Sequence, residues 1–274
     1  MTPLSALLAS VAPRDGGFTA NVTDDWRQGR TLYGGLSAAL CVAAAERALP
    51  DLPPLRSAQF AFLGPAAGTI HAVPALLRRG KSTAFVAVDL SGDAGLAVRA
   101  LLCFGAARAS TLAHAGLPMP AVPPPDAGTD FFGRPGAPNF AQHFEARLAR
   151  GPALISAATD PDMLLWLRHR DTAAGNGPGN GPGNGPGNGQ VALVALADAA
   201  PPAAMTLFTA PAPISTITWM IDILAAPPAE DDGWRLMRST AETASDGYSS
   251  QAMTIWTRAG EPLLAARQCV AIFA

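Results

Sequence analysis

The chain is poor in charge, in lysine and in cysteine, and it has no long apolar run. Only 15% of its 274 residues are Asp, Glu, Lys or Arg, against about 25% in ordinary globular domains. Nineteen basic groups face 21 acidic ones, a formal net charge of −2. Without a basic excess there is nothing to neutralise a phosphate backbone, which excludes nucleic acid as a partner. Every basic residue except Lys81 is arginine; together with abundant alanine this reads as coding bias rather than as function. No segment reaches the roughly 18 consecutive apolar residues of a membrane span. The start, MTPLSALLASVAPRDGG, lacks a basic n-region, so no signal peptide is expected. The three cysteines, Cys41, Cys103 and Cys269, are odd in number and far apart. That excludes a disulfide framework and fits buried thiols in a reducing cytoplasm. His71, His114, His143 and His169 show no ligand spacing, so neither a metal nor another cofactor is expected.

What the chain does have is apolar bulk, 49% of residues. Its length suits one large domain or two small ones. Two breaks organise it. Thr111 to Pro138 is rich in Pro and Gly and has no hydrophobic period, with Pro-Pro-Pro at 123–125 favouring extended chain. Residues 175–189 read GNGPGNGPGNGPGNG, a low-complexity stretch expected to be a disordered loop. Its glycines all fall at odd positions, so it cannot form a G-x-G-x-x-G phosphate loop.

Between these breaks the same order of elements occurs twice. Gly17–Trp26 is a candidate strand. Leu32–Leu49 is an alanine-rich helical run entered through Gly34-Gly35 and closed by Pro50. Strand-like runs follow at Leu55–Leu63, Thr69–Leu77, Thr83–Leu90 and Leu96–Ala106, with Pro74 marking a bulge or an edge. In the second half, Phe140–Arg150 and Asp162–Arg170 are candidate strands. Val191–Ala199 is helical, stopped by Pro201-Pro202, and four strands follow at Thr216–Leu224, Trp234–Thr243, Tyr248–Thr257 and Leu263–Phe273. PLRSAQFAFL (54–63) aligns with PISTITWMID (213–222), RGKSTAFVAV (79–88) with DGYSSQAMTI (246–255), and ALLCFGA (100–106) with ARQCVAI (266–272). An internal duplication of an α+β unit, one helix on a mostly antiparallel sheet, accounts for both orders. The expected boundaries are 1–110 for the first unit, 111–138 for the connection and 139–274 for the second unit.

LYGGLSAAL, a strand ending in FLGP, and RRGKSTAFVAV resemble the amino-terminal half of acyl-CoA thioesterases of the double hotdog type, the thioesterase II-like family. LWLR, ALADAAPPA, STITWMIDI, GYSSQAMTIW and ARQCVAIF resemble the carboxy-terminal half. The resemblance covers nearly the whole chain outside the Pro-rich connection and the GNGP run. It implies two tandem hotdog units, each a long helix wrapped by a curved antiparallel sheet. It also implies hydrolysis of acyl-CoA in fatty acid metabolism, without metal or covalent enzyme intermediate, and leaves homo-oligomers through the sheets open. In that family an aspartate, a hydroxyl residue and a glutamine hold the attacking water. Residue by residue these fall on Asp198, Thr216 and Gln268.

The residue types fit that chemistry to different degrees. At helical spacing Asp198 shares a face with Val191, Val194 and Ala195, in a last turn whose dipole disfavours a carboxylate. A partly buried carboxylate there has a raised pKa, which suits a general base; a capping or solvated Asp before Pro201 is the plainer reading. Gln268 alternates with Leu264, Ala266, Val270 and Ile272, so an amide sits in an apolar row and needs partners. Thr216 is the weakest of the three, since Thr is also an ordinary strand former. Ser215 or Thr218 replaces it if the register differs by one or two. Gly34, Gly35 and Trp219 are the expected substrate-binding positions; the glycines serve first as a close-packing device at the helix start, with backbone N–H groups available to a thioester carbonyl. In the first half Leu102 aligns with Gln268, Ser57 with Thr216, and the helix stretch Leu36–Ala45 holds no acid. One site per chain is therefore expected.

The rivals fit less well. Gly80-Lys81-Ser82 lacks the first glycine of a P-loop, because position 75 is Ala. Ser37 sits in a helical run rather than on a nucleophile elbow. Hydratases of related fold resemble a pattern with His five residues after the Asp, whereas Asp198 is followed by Ala-Ala-Pro-Pro-Ala. A non-catalytic acyl-CoA-binding protein of the same fold is the remaining alternative.

Overall fold

A computed structural model describes residues 1–133, 136–174, 189–228 and 231–273. Three helices occur among them: α1 Leu4–Ser10, α2 Gly34–Ala48 and α3 Gly189–Leu196. The strands of the first half are β1 Ala12–Arg14, β2 Gly17–Asn21, β3 Arg27–Gln28, β4 Thr31–Leu32, β5 Leu55–Phe62, β6 Thr69–Arg79, β7 Thr83–Gly92 and β8 Gly95–Gly105. Those of the second half are β9 Thr129–Asp130, β10 Phe144–Arg150, β11 Asp162–His169, β12 Ile214–Ile223, β13 Arg235–Ser245, β14 Tyr248–Thr257 and β15 Pro262–Ile272. Thirteen strands form one antiparallel sheet in the order β1-β2-β6-β7-β8-β5-β12-β15-β14-β13-β11-β10-β9, with β3 and β4 as a separate ribbon. This is the double hotdog: two sheets joined edge to edge through β5 and β12, each covering its own helix.

Alanine makes α2 a strong helix, and Leu49 and Pro50 end it. Every residue from Gly35 to Ala45 is buried, as befits a helix that is apolar on all sides. α3 is also buried along its whole length. It begins at Gly189, the last residue of the GNGP run, which is therefore a buried helical residue and not part of a loop. The rest of that run, 175–188, lies outside the described residues.

The second helix is shorter than its apolar stripe suggests. It stops at Leu196, and the amide of Ala199 bonds back only three residues, to the Leu196 carbonyl at 3.0 Å. Pro201 and Pro202 supply no N–H groups and restrict the residue before them, so the chain leaves the helix early. Asp198 consequently lies in the turn beyond α3 and not in its last helical turn.

Two expected strands are likewise shortened. β2 stops at Asn21 and Asp24–Trp26 forms a 3-10 turn, with the Trp26 indole bonded to the Thr2 carbonyl at 2.9 Å. Asn139–His143 is also a 3-10 turn, and its buried His143 stacks on Trp26 with ring centroids 3.6 Å apart. That contact ties the halves together and uses residues that would otherwise extend β10. In the Pro-rich connection, the carbonyls of Leu117 and Pro123 accept the indole N–H groups of Trp256 and Trp166, each at 2.8 Å. Among its described residues the connection joins the ladder only at Thr129–Asp130, and its stretch around Leu117 and Pro123 is held by side chains of the second sheet.

The join itself carries the symmetry of the repeat. Phe60 stands opposite Trp219, Gln59 opposite Met220 and Ala61 opposite Thr218. Exchanging Phe60 and Trp219 returns the ladder to itself, so a local two-fold axis passes between them. The alignment of 54–63 with 213–222 pairs these same two residues.

Candidate active site

The carboxyl of Asp198 meets the start of α2. The Gly35 N–H donates to it, and the Gln268 Nε2 donates to Oδ1 at 2.7 Å. α2 has no side-chain cap and no acidic residue in its first turn. A carboxylate from another element therefore occupies the place where free N–H groups and the positive end of the helix dipole favour it. The glycines make this approach feasible. A Cβ on Gly34 would lie 2.8 Å from Asp198 Oδ2, and one on Gly35 would lie 2.5 Å from Tyr33 Oη and 2.7 Å from the Ala195 carbonyl oxygen. The Tyr33 hydroxyl donates to that carbonyl at 2.7 Å, satisfying a group at the end of α3.

Asp198 remains partly accessible, but protein surrounds it and pushes its pKa up to about 7. Desolvation is the largest cause, and the bonds from Gln268 and Gly35 oppose it by favouring the ionised form. Burial and the neighbouring Asp198 charge raise the Tyr33 hydroxyl well above its usual range. Gln268 is buried among the apolar residues of its face. Its Oε1 accepts from Gln251 Nε2 at 2.7 Å, and the Gln251 Oε1 accepts from the Ala203 N–H at 3.0 Å and the Ser239 hydroxyl at 3.3 Å.

Thr216 reaches the same face by an irregularity. Simple alternation puts Thr216 and Thr218 together, opposite to Trp219. The register shifts between Thr216 and Thr218, so Thr216 pairs with buried Val270 while Thr218 pairs with Cys269. The bulge turns Thr216 to the face of Gln268 and leaves Thr218 exposed on the other. Ser215 is exposed as well. Thr216 makes no side-chain hydrogen bond among the described residues. Trp219 lies directly opposite Gln268, is buried, packs at 5.6 Å on Phe60, and has no partner for its indole N–H among the described residues.

Asp198, Gln268 and the two glycines are therefore in one cluster, with Thr216 and Trp219 on the sheet face beside it. Sequence reading passed over Gln251 and Tyr33. Gln251 carries the same signal as Gln268, an amide alternating with Ser249, Met253 and Ile255 on a buried face. Tyr33 had none beyond its place before the glycines. Among the described residues no group of three His, Cys, Asp or Glu side chains comes together to hold a metal ion, and no helix is long and apolar enough to cross a membrane. On the outer face, a groove of about 530 Å³ lies over the join, with exposed Gln59, Leu101, Met220, Arg99 and Arg267 among its lining.

Residues 22–105 match the family model described as acyl-CoA thioesterase N-terminal domain, and residues 117–272 that of the acyl-CoA thioesterase C-terminal domain. Among solved structures, the chain is similar to a hot dog fold protein of unknown function from Alicyclobacillus acidocaldarius (24% identity, TM-score 0.84, 100% of this chain and 99% of that one). It is also similar to a tesB protein of Mycobacterium avium subspecies paratuberculosis (15% identity, TM-score 0.77, 99% and 100%). A third is the acyl-CoA thioesterase II TesB2 of Mycobacterium marinum (18% identity, TM-score 0.73, 97% of each chain). At these identities the structural likeness establishes the fold. No curated protein matches the chain.

Proposed function

Since the chain belongs to the acyl-CoA thioesterase family and is a thioester hydrolase, we propose that Asp198 is the general base of its reaction, with Gln268 and Thr216 holding the attacking water. The observation that carries this reading is the carboxyl of Asp198, buried enough to titrate at about 7, yet held by one amide and one helix-start N–H. A base poised near neutrality combines an available ionised form with a useful proton affinity.

In this reading the ionised Asp198 takes a proton from water as the water oxygen bonds to the acyl carbon. The C=O pair moves to oxygen, then returns and expels the coenzyme A thiolate. The proton on Asp198 leaves to the thiolate or to solvent, and the carboxylate is regenerated. Gly34 at the start of α2 and the unpartnered indole N–H of Trp219 are the donors we assign to the developing oxyanion. The Gly35 N–H is already engaged by Asp198, so Gly35 positions the base. The acyl chain runs along the Ala- and Leu-rich surfaces between the helices.

The same reading places the enzyme in the cytoplasm, divides it at 1–110, 111–138 and 139–274, and assigns the outer sheet face to pairing between copies. The experiment that tests the core of it is coenzyme A release, followed with a thiol reagent, across acyl-CoAs of varied chain length. Asp198→Asn should lower kcat by about 10²–10⁴-fold. A wild-type rate from folded Asp198→Asn would overturn the assignment.

A further inference from the structure

We propose that Gln251 is a positioning residue for this site, orienting the Gln268 amide so that its NH₂ group, not its carbonyl, faces Asp198. The inference rests on Asp198 being the base. It follows from the direction of donation along a buried chain of groups. The Ala203 N–H and the Ser239 hydroxyl both meet Gln251 Oε1, and an N–H can only donate. That end of Gln251 is therefore its carbonyl, and its NH₂ must face Gln268. Gln268 then receives at Oε1 and donates from Nε2 to Asp198 Oδ1. Each amide could be turned over on its own without visible change in shape; anchored at the Ala203 N–H, neither can.

The polarity matters for the chemistry. A carbonyl turned toward Asp198 would repel the carboxylate, whereas the NH₂ group stabilises its ionised form. It also leaves the second Gln268 N–H for water or for the oxyanion. Gln251 is 1% exposed and Ser239 likewise, so solvent does not compete for these groups, and bonds in such a chain polarise one another.

Gln251→Leu removes the donor to Gln268. Its kcat should fall by about ten-fold, within the range of couplings between members of one network, and the acid limb of kcat/KM should move to higher pH. In a Gln268→Ala background the same substitution should have no further effect on kcat. Equal losses in both backgrounds would overturn the inference, because a merely structural role persists without Gln268. Gln251→Glu guards against a folding defect: the introduced carboxylate still accepts from Ala203 and Ser239 but, once ionised, has no proton for Gln268. Its activity should decline on the alkaline side where the wild-type rate is greatest, and an unaltered wild-type profile would overturn the inference. The side-chain ¹⁵N–¹H signals of Gln268 read its orientation without turnover. If Asp198→Asn keeps full activity while those signals shift in Gln251→Leu, the base assignment fails and the positioning stands; unchanged signals overturn the positioning alone.

Discussion

One row of six residues crosses the join of the two units, and its halves differ. From β14 inward it reads Gln251, Gln268, Trp219; continuing through the axis to β7 it reads Phe60, Ala100, Val88. All six are at most 3% exposed. The backbone on either side of the axis is the same ladder, yet one half carries two amides and an indole N–H, and the other carries nothing polar. A buried amide is tolerated only with partners; here the partners are Ala203, Ser239 and Asp198. The first unit lacks such a set and is filled with hydrocarbon. The repeat offers two places for a site, and in the proposed reading side-chain chemistry equips one.

The row also corrects an alignment. Sequence pairing sets Leu102 against Gln268, but the residue opposite Phe60 is Ala100, and Leu102 stands opposite Ala58. The bulges fall at different points of the two ladders, between Leu55 and Ser57 in one and between Thr216 and Thr218 in the other. Ser57 consequently pairs with half-exposed Cys103, whereas Thr216 pairs with buried Val270.

Breaking the difference should have graded effects. The largest is expected from making the second unit like the first: Gln268→Ala with Gln251→Val should abolish most turnover in the coenzyme A assay. Thermal unfolding should show more destabilisation than Gln268→Ala alone, because the buried Ala203 N–H and Ser239 hydroxyl also lose their acceptor. The single change keeps the Gln251 carbonyl bonds and leaves its NH₂ only the weak Met253 Sδ acceptor at 3.5 Å, at a cost of about 1 kcal/mol. Next comes Gly35→Ala. Its methyl group would strike the Tyr33 hydroxyl and the Ala195 carbonyl, and overpacking of this kind costs about 1–3 kcal/mol; denaturant unfolding measures it. Gly34→Ala meets the Asp198 carboxylate instead, so its loss should appear mainly in kcat. The reverse transfer, Ala100→Gln, should destabilise by about 1–3 kcal/mol without adding activity, since nothing on that side receives the amide.

The smallest effect is a dependence on pH. Activity should rise as Asp198 ionises, with half its plateau in kcat/KM near pH 7. Stability should run the other way. The folded protein holds this proton to about pH 7, whereas an unfolded Asp releases it near 3.9. Between those values the native state binds more protons, so the contribution of Asp198 is fully present below the lower one and is lost as pH rises through the upper one. A melting-temperature difference between wild type and Asp198→Asn, followed from pH 4 to 8, should show that trend.

Much of the molecule was legible from one chain. The alanine run closed by Pro50 marks α2, because alanine and proline act locally on backbone entropy and hydrogen bonding. Period-two patterning puts Gln268 in an apolar row, since alternation is a property of the strand itself. Gln251 carried the same pattern and its significance went unread. The end of α3 was harder, as the apolar stripe continues after Leu196 and only the approaching prolines stop it.

The sequence by itself thus determined the repeat, the helices and strands, and which polar residues must be buried, because propensity and periodicity are carried by neighbours in the chain. Only the tertiary structure decided that Asp198 meets Gly35, that Gln251 turns Gln268, and that Thr216 joins their face through a bulge. Those contacts depend on how distant segments are brought together, and on a one-residue register shift that reverses which way a side chain points.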